Sequence, residues 1–585
     1  MYEDDELEYY YSISIVRDIF KSNENIQLDY CIVLCWLFAS SHPAVRDRVT
    51  RILFHILEKN TSLINKLIEK FDNVNDLYVL ERLYCAIYGV VLIVEDQETI
   101  SVISRGVYNK IFENKKPPCH LHLRSWALKI LERAKYLNIE EHLFNDSLPP
   151  YNSDLKSPAD LDYKKLLGES DGSEKIYQSV FGFEDFARYI IGTNSNVESR
   201  SFTKHLITEE ISTATNFLPL LELQKILLLE IHDLGWNDKL GDLDKGVYSY
   251  NRHENKTERI GKKYQWLALY SITAKLLDKY KICDSWNQTE IYKTNFPWLT
   301  RYNSYFDPTI PIPELKTESI EIEFEKYELP KITSSDGEEW IKSNEELVEP
   351  YHFEQIDSNG QRWILLSTYQ SISKEISPFK LEYFLRYDSL FIKNNDIVDF
   401  EKWAREQNFY GRWMPEYHDQ YEYFLFEYPW SDSYKSLKIE NTEHPRNGCP
   451  CEVIVSTESQ LQENWNGIKD DISGSTLLPN HEMMNELKLK TKRERGAFYN
   501  DANEIVAISN YNDDKGKKGL YVRQDILDDF MRKNDFSLVY CIIGEKKLRK
   551  GSGYDSNVIM KDISGSYKYS DGIISPISKL RIFER

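Results

Sequence analysis

The sequence predicts a molecule of mixed class. An N-terminal all-α helical-repeat array of HEAT or TPR type is followed by an α+β domain with a mainly antiparallel sheet. Two observations carry the prediction. Apolar pairs four apart, enclosing polar residues, recur along the first part of the chain. Beyond the three-proline connector Asp307-Pro308-Thr309-Ile310-Pro311-Ile312-Pro313 the apolar period drops to two. The expected segments are 1–150, a helical-repeat segment; 151–310, a second helical block; and 311–585, the α+β domain. The prolines stiffen the connector between separate cores.

Val45-Arg46-Asp47-Arg48-Val49 is echoed thirty-four positions on by Val79-Leu80-Glu81-Arg82-Leu83, and forty-four later by Leu123-Arg124-Ser125-Trp126-Ala127. Ile52, Ala86 and Ile130 follow each echo three residues on. Periods of this size, with two helices per unit, belong to solenoids whose units bury their apolar faces only by stacking. An irregular helical bundle is the alternative. Cys31 and Cys35, four apart on an apolar helix, read as small hydrophobes. Cys119-His120-Leu121-His122 opens a helix. A polar stretch from Pro149-Pro150 to Asp171-Gly172 interrupts the array, and a second helical block runs from about Glu184 to Tyr280.

Within that block, Glu258-Arg259-Ile260-Gly261-Lys262-Lys263-Tyr264-Gln265-Trp266 gathers three cations, a carboxylate and two aromatics. Ile260, Tyr264, Leu267, Ser271, Ala274 and Leu277 then recur at steps of three and four, which predicts one buried helix face. Glu258 and Lys262 stand in the favoured order for a helical ion pair. Tyr264 and Trp266 beside Arg259 and Lys263 permit cation–π contacts. Cations in a first turn oppose the helix dipole, so a compensating acidic group is expected, in the α+β half or on another subunit. The plain alternative is a solvated basic helix start.

Past the connector, Ile320-Glu321-Ile322-Glu323-Phe324-Glu325 alternates as a strand with one acidic face. Further strands are expected at 363–367, 383–391, 421–428, 453–456, 520–522 and 537–543. Phe498 to Ile508 reads as a hairpin turning at Asn500 to Asn503, and Gln524 to Lys533 as a helix.

At 585 residues the chain is too long for one core. Aromatics make up 13% of it, which argues for a folded protein. With 94 acidic against 73 basic residues the net charge is −21, so nucleic acid is an unlikely main partner on electrostatic grounds. The opening residues resemble no signal peptide, and the apolar run Tyr30 to Ala39 is too short to span a bilayer. A cytoplasmic location and no membrane partner are expected, and the eight cysteines fit a reducing compartment.

Catalytic signatures are thin. A phosphate-cradling loop ends in Gly-Lys-Ser/Thr, whereas Gly261-Lys262-Lys263 and Gly516-Lys517-Lys518 lack the hydroxyl residue and the upstream glycine. Cys449-Pro450-Cys451 near His444 supplies part of a zinc set with no second pair at typical spacing. Leu538 to Ile543 followed by Gly544-Glu545-Lys546-Lys547 looks like a strand ending in the Glu-x-Lys of Mg²⁺-dependent nucleases, which also need an Asp on a neighbouring strand. No catalytic or metal-ligating residue and no cofactor is assigned to this chain.

A collinear set of pieces resembles a family. Ser41-His42-Pro43-Ala44-Val45-Arg46-Asp47-Arg48-Val49-Thr50, Gly235-Trp236, the 258–266 stretch, Phe306-Asp307-Pro308-Thr309, Phe426-Glu427-Tyr428-Pro429-Trp430, Leu477-Leu478-Pro479 and Ile543-Gly544-Glu545-Lys546 follow one another along nearly the whole chain. Together they resemble the C-terminal half of the AVAST (Avs) antiviral STAND NTPases. That resemblance implies a ligand-sensing region that binds a phage protein of the terminase or portal class, then drives homo-oligomer formation and effector activation. It implies a partner NTPase and effector module, where ATP and Mg²⁺ would bind, and no enzymatic activity in this chain alone. Its candidate binding residues are Glu258, Arg259, Lys262, Lys263, Tyr264, Trp266, Glu427, Trp430, Glu545 and Lys546. A stand-alone interaction scaffold is the runner-up, and a Mg²⁺-dependent nuclease the third reading.

Overall fold

The computed structural model describes residues 18–149, 151, 153–154, 175–181, 186–191, 206–208, 220–244, 259–278, 280–282, 307–309, 322, 332–343, 353–409, 424–427, 430–431, 442–443, 448–462, 474–492, 496–509, 519–550, 557–570 and 572–584. The chain divides into two compact units. The first holds Met1–Lys316, Trp430–Ser436 and Asn464–Asp471; the second holds Thr317–Pro429, Leu437–Glu463 and Ile472–Arg585.

The first unit is helical: α1 (Glu24–Leu37), α2 (Pro43–Lys59), α3 (Leu63–Phe71), α4 (Leu77–Ile93), α5 (Gln97–Ile111), α6 (Leu121–Tyr136), α7 (Glu141–Asp146), α8 (Lys175–Phe181), α9 (Leu220–Asp233), α10 (Asp238–Leu243) and α11 (Ile260–Leu277). Short strands β1 (Leu206–Thr208) and β2 (Tyr280–Ile282) pair antiparallel. Polar residues start the helices by satisfying their first free N–H groups. Asp96 accepts from Thr99 N at 2.8 Å, and Asp76 from Tyr78 N at 3.1 Å. The His120 ring accepts from Leu123 N at 3.3 Å, so Cys119-His120-Leu121-His122 does open a helix. Pro43 sits in the first turn of α2, where its missing N–H costs nothing. Cys31 and Cys35 are fully buried on α1, and burial pushes the Cys31 thiol up to about 12.

The three sequence echoes fall in α2, α4 and α6, which pack in turn against one another. α4 and α6 are enclosed over most of their surface. The single-face expectation for α11 needs correction. From Leu267 to Ala274 the helix is buried on every side, while Ile260 and Tyr264 are only half-buried. It lies between α9 and α6, so two faces are covered instead of one.

The second unit is built on an antiparallel sheet in the order β10-β11-β12-β13-β4-β5-β14-β15-β16, with β3 on β4, β7 on β5 and β6 on β7. The ranges are β3 (Glu354–Ile356), β4 (Arg362–Ile376), β5 (Phe379–Lys393), β6 (Thr442–Glu443), β7 (Val453–Val455), β10 (Lys490–Thr491), β11 (Ala497–Tyr499), β12 (Ile505–Ser509), β13 (Leu520–Arg523), β14 (Phe536–Lys550), β15 (Asn557–Ser570) and β16 (Ile573–Glu584). A separate hairpin joins β8 (Thr457–Gln462) to β9 (Gly474–Pro479). Helices α12 (Gly337–Trp340), α13 (Ile397–Ala404), α14 (His481–Glu486) and α15 (Gln524–Asn534) complete the unit. A mixed α+β chain with antiparallel strands is thus what the sequence folds into.

The hairpin at Asn500 to Asn503 is present, with Asn503 N donating to Asn500 O at 3.0 Å and Asn503 in the left-handed region at φ 66°. Other expectations are revised. Within 421–428 the described part is a 3-10 turn, Leu425–Glu427, not a strand. Glu427 closes it: its carboxylate accepts from Phe424 N at 2.9 Å, and its N–H returns to Phe424 O at 2.9 Å. Of 320–325 only Ile322 is described, and it is not in a strand. β14 does not stop at Ile543 but runs through Gly544-Glu545-Lys546-Lys547 to Lys550. It is flanked along its whole length by β5 and β15. Gly544 lies against the Phe384 carbonyl and the Leu385 side chain, a closeness no Cβ would permit.

Candidate functional site

The polar residues inside the three echoes are not solvated. Arg46, Asp47 and Glu81 are each at least nine-tenths buried and Arg124 is wholly so. Arg82 donates to Asp47 at 2.7 Å, and Glu81 lies 3.6 Å from both Arg82 and His120 Nε2. Successive helices of the first unit therefore contribute to a buried seam of charge. Charges taken from water are stable only when paired.

α11 closes over that seam along one stripe: Lys263, Tyr270, Ala274 and then Asp278. Lys263 Nζ lies 2.5 Å from Asp76 Oδ2 and donates to Ala39 O at 2.7 Å. It also stands over the Tyr78 ring, 5.5 Å from its centre. One turn and more further on, the Tyr270 ring meets His122 edge-on at 4.3 Å and His120 at 5.2 Å. At the helix end Arg124 donates to Asp278 at 3.2 Å and to Ala274 O at 3.3 Å. It also fixes the α5–α6 connection through Pro118 O at 2.7 Å and Pro117 O at 3.1 Å.

Burial sets the protonation of the seam. It holds His120 well below the ordinary imidazole range and His122 at about 3, so both rings are neutral near pH 7. It pushes the Glu81 carboxyl up against the opposing pull of Arg82 and Arg46. It also raises Asp278 against Arg124, and the Tyr270 hydroxyl. Neither ring nitrogen of His122 has a hydrogen-bond partner among the described residues.

The cationic helix start is neutralised locally. The Asp244 carboxylate accepts from Ile260 N at 2.6 Å and Gly261 N at 2.7 Å, placing an anion on the positive end of α11. Arg259 donates to Ser179 Oγ at 3.1 Å. The acidic partner of Lys263 is in the helical unit, not the α+β half as expected, and its aromatic neighbour is Tyr78 rather than Tyr264 or Trp266. Lys262 and Tyr264 are half-buried. Trp266 packs edge-on against Phe186 at 5.4 Å and stacks with Tyr270 at 5.6 Å. Glu258 lies outside the described residues.

Of the remaining candidates, Glu427, Glu545 and Lys546 belong to the second unit. Trp430 belongs to the first unit, under Arg133 at 5.1 Å and against Tyr136 at 6.0 Å. Glu427, fully buried, bonds Phe424 N within its own turn. In the second unit Lys546 is fully buried, donating to Trp340 O at 3.1 Å and Ser343 O at 2.6 Å, with the Trp340 ring beneath it at 4.8 Å. It holds the end of α12. Glu545 lies in register with Asp562 on β15, which supplies the neighbouring-strand Asp that the sequence did not reveal. Two carboxylates alone make an incomplete metal set, and among the described residues no group of three or more His, Cys, Asp or Glu could hold an ion. Cys449 and Cys451 are free thiols, and His444 lies outside the described residues.

Sequence reasoning missed Asp76, Tyr270, Asp244 and Asp278. Asp76 and Lys263 are 187 positions apart, and no local pattern links them. The signal that could have found the seam was the charge kept inside each echo. No protein-family model matches the sequence, and no curated protein matches it. Among the described residues no helix is long and apolar enough to cross a membrane.

Proposed function

We propose that this chain is the ligand-sensing region of an antiviral STAND ATPase of the AVAST type, binding a phage protein of the terminase or portal class. The first unit is read as a helical-repeat array whose stacked helices offer the target an extended surface. The second is read as part of the same sensor. ATP, Mg²⁺ and the effector belong to a partner NTPase module, and activation assembles several copies.

The observation that carries the reading is the Lys263–Asp76 pair. The stretch that resembles the family is not a solvated helix start. It clamps α11 onto the seam formed by α2, α4 and α6. A half-buried ion pair between elements far apart in sequence has few alternatives to its docked arrangement, which suits a contact that a target either keeps or breaks. A target with higher affinity for one arrangement would shift the population toward it.

Co-expression with individual terminase large subunits and portal proteins tests this. One of them should co-purify with the chain, and Lys263→Met should weaken that capture while the chain stays folded. Failure of every such protein to co-purify with folded chain would overturn the sensor reading.

A further inference from the structure

The second unit contains three thiols in one place. Cys451 and Cys541 sit in the apolar cluster formed by Leu390, Phe400, Val453 and Val539, and Cys449 packs against its edge. They differ in access: Cys541 is wholly buried, Cys451 is 6% exposed and Cys449 is half-buried. A tight bend places Cys449 against Cys451. Gly448, at φ 74°, turns the chain ahead of Pro450, and the Cys449 thiol donates to Cys451 O at 3.4 Å. The other half-buried thiol among the described residues, Cys119, contacts Ser153 Oγ and Arg124.

We propose that Cys449 and Cys451 form a hydroperoxide-responsive dithiol, with Cys449 attacking the oxidant and Cys451 resolving the product to a disulfide. Access decides the order, because Cys449 is half-buried while Cys451 is almost wholly covered. The neighbouring Cys451 side chain holds the Cys449 thiol below the ordinary range, while Cys449 raises that of Cys451, so the accessible sulfur is the more readily ionised of the two.

The chemistry balances. The Cys449 thiolate attacks one peroxide oxygen, the O–O bond breaks, and hydroxide leaves to take up a proton as water. The sulfenic acid on Cys449 is then attacked by the Cys451 sulfur. The S–O bond breaks, a second water leaves with the Cys451 proton, and the disulfide forms. Two thiols lose two electrons to one peroxide. In a reducing compartment such a bond is transient and regulatory.

Treating the full chain with hydrogen peroxide, blocking residual thiols by alkylation and mapping the peptides by mass spectrometry tests the assignment. The expected result is loss of two alkylatable thiols, at Cys449 and Cys451, joined in one peptide and restored by a reductant. Cys451→Ala should leave Cys449 as a sulfenic acid captured by a dimedone probe. Because that variant touches the core, the wild-type map decides by itself. Cys449 oxidising no faster than Cys119, a lasting sulfenic acid in the wild type, or a bridge from Cys449 to Cys541 would each overturn the proposal.

Discussion

Lys263 and Asp76 meet at 2.5 Å, with the Lys263 ammonium also bonded to the Ala39 carbonyl. The pair joins the first turn of α11 to the N-cap of α4, which Asp76 also serves through Tyr78 N. One carboxylate thus starts one helix and holds another.

Lys263→Met should lower the stability of the first unit by about 2 kcal/mol, because it strips Asp76 of a charged partner in a half-buried place. Arg259→Ala, which removes the bond to Ser179 and leaves the Lys263–Asp76 pair in place, should cost less. Thermal unfolding followed by circular dichroism measures both. Equal melting temperatures for Lys263→Met and wild type would mean that the pair is solvated in effect.

The neutral histidines of the seam make the first unit acid-sensitive. His122 has a folded value of about 3 against an ordinary 6.5, so the unfolded chain binds more protons between these limits. Its contribution is complete above pH 6.5 and is lost as pH falls toward 3, by about 1.4 kcal/mol per pH unit at most. Glu81, pushed the other way, offsets part of this loss. His122→Phe should flatten the acid limb of melting temperature against pH. An unchanged limb would place the sensitivity elsewhere.

Glu458 gives the second unit the opposite trend. This buried carboxyl accepts from His481 N at 2.5 Å at the start of α14, and burial raises it to about 8. A raised folded value favours the protonated form, so its contribution is complete below about 4.5 and is lost as pH rises through 8. Glu458→Gln should remove that slope between pH 6 and 9, as read by chemical denaturation at each pH. A slope of wild-type size in the variant would contradict the assignment.

Gly544→Ala should destabilise the second unit by about 1–3 kcal/mol, because its methyl would press on the Phe384 carbonyl and the Leu385 side chain within the β5–β14 pairing. Lys546→Met should also weaken it, by freeing the carbonyls of Trp340 and Ser343. A melting temperature within error of wild type for Gly544→Ala would show that the strands can part there without cost.

Local signals were legible where local forces decide. The Asn500–Asn503 turn, the helix after Arg523 and the helix opened by His120 all rest on side-chain chemistry within a few residues. The failures share another cause. β14 continues through Glu545-Lys546-Lys547 because the Lys546 ammonium finds carbonyls at 340 and 343, some two hundred positions away. The stretch 421–428 has strand composition, yet Glu427 captures Phe424 N and bends the chain. The cations at 259–263 gave reason to expect a compensating acid, but spacing could not name Asp244 or Asp76. The seam showed itself only as charge persisting inside helical echoes that amphipathicity alone would have turned outward.

The return of Trp430–Ser436 and Asn464–Asp471 to the first unit has a consequence for how the molecule comes apart. The backbone passes between the units not once, at 316/317, but again on either side of each returning segment. A cut at the three-proline connector therefore does not divide the chain into its two units, because the C-terminal piece still carries segments of the first. A gene cut at the connector would leave the helical unit without Trp430, whose ring lies under Arg133.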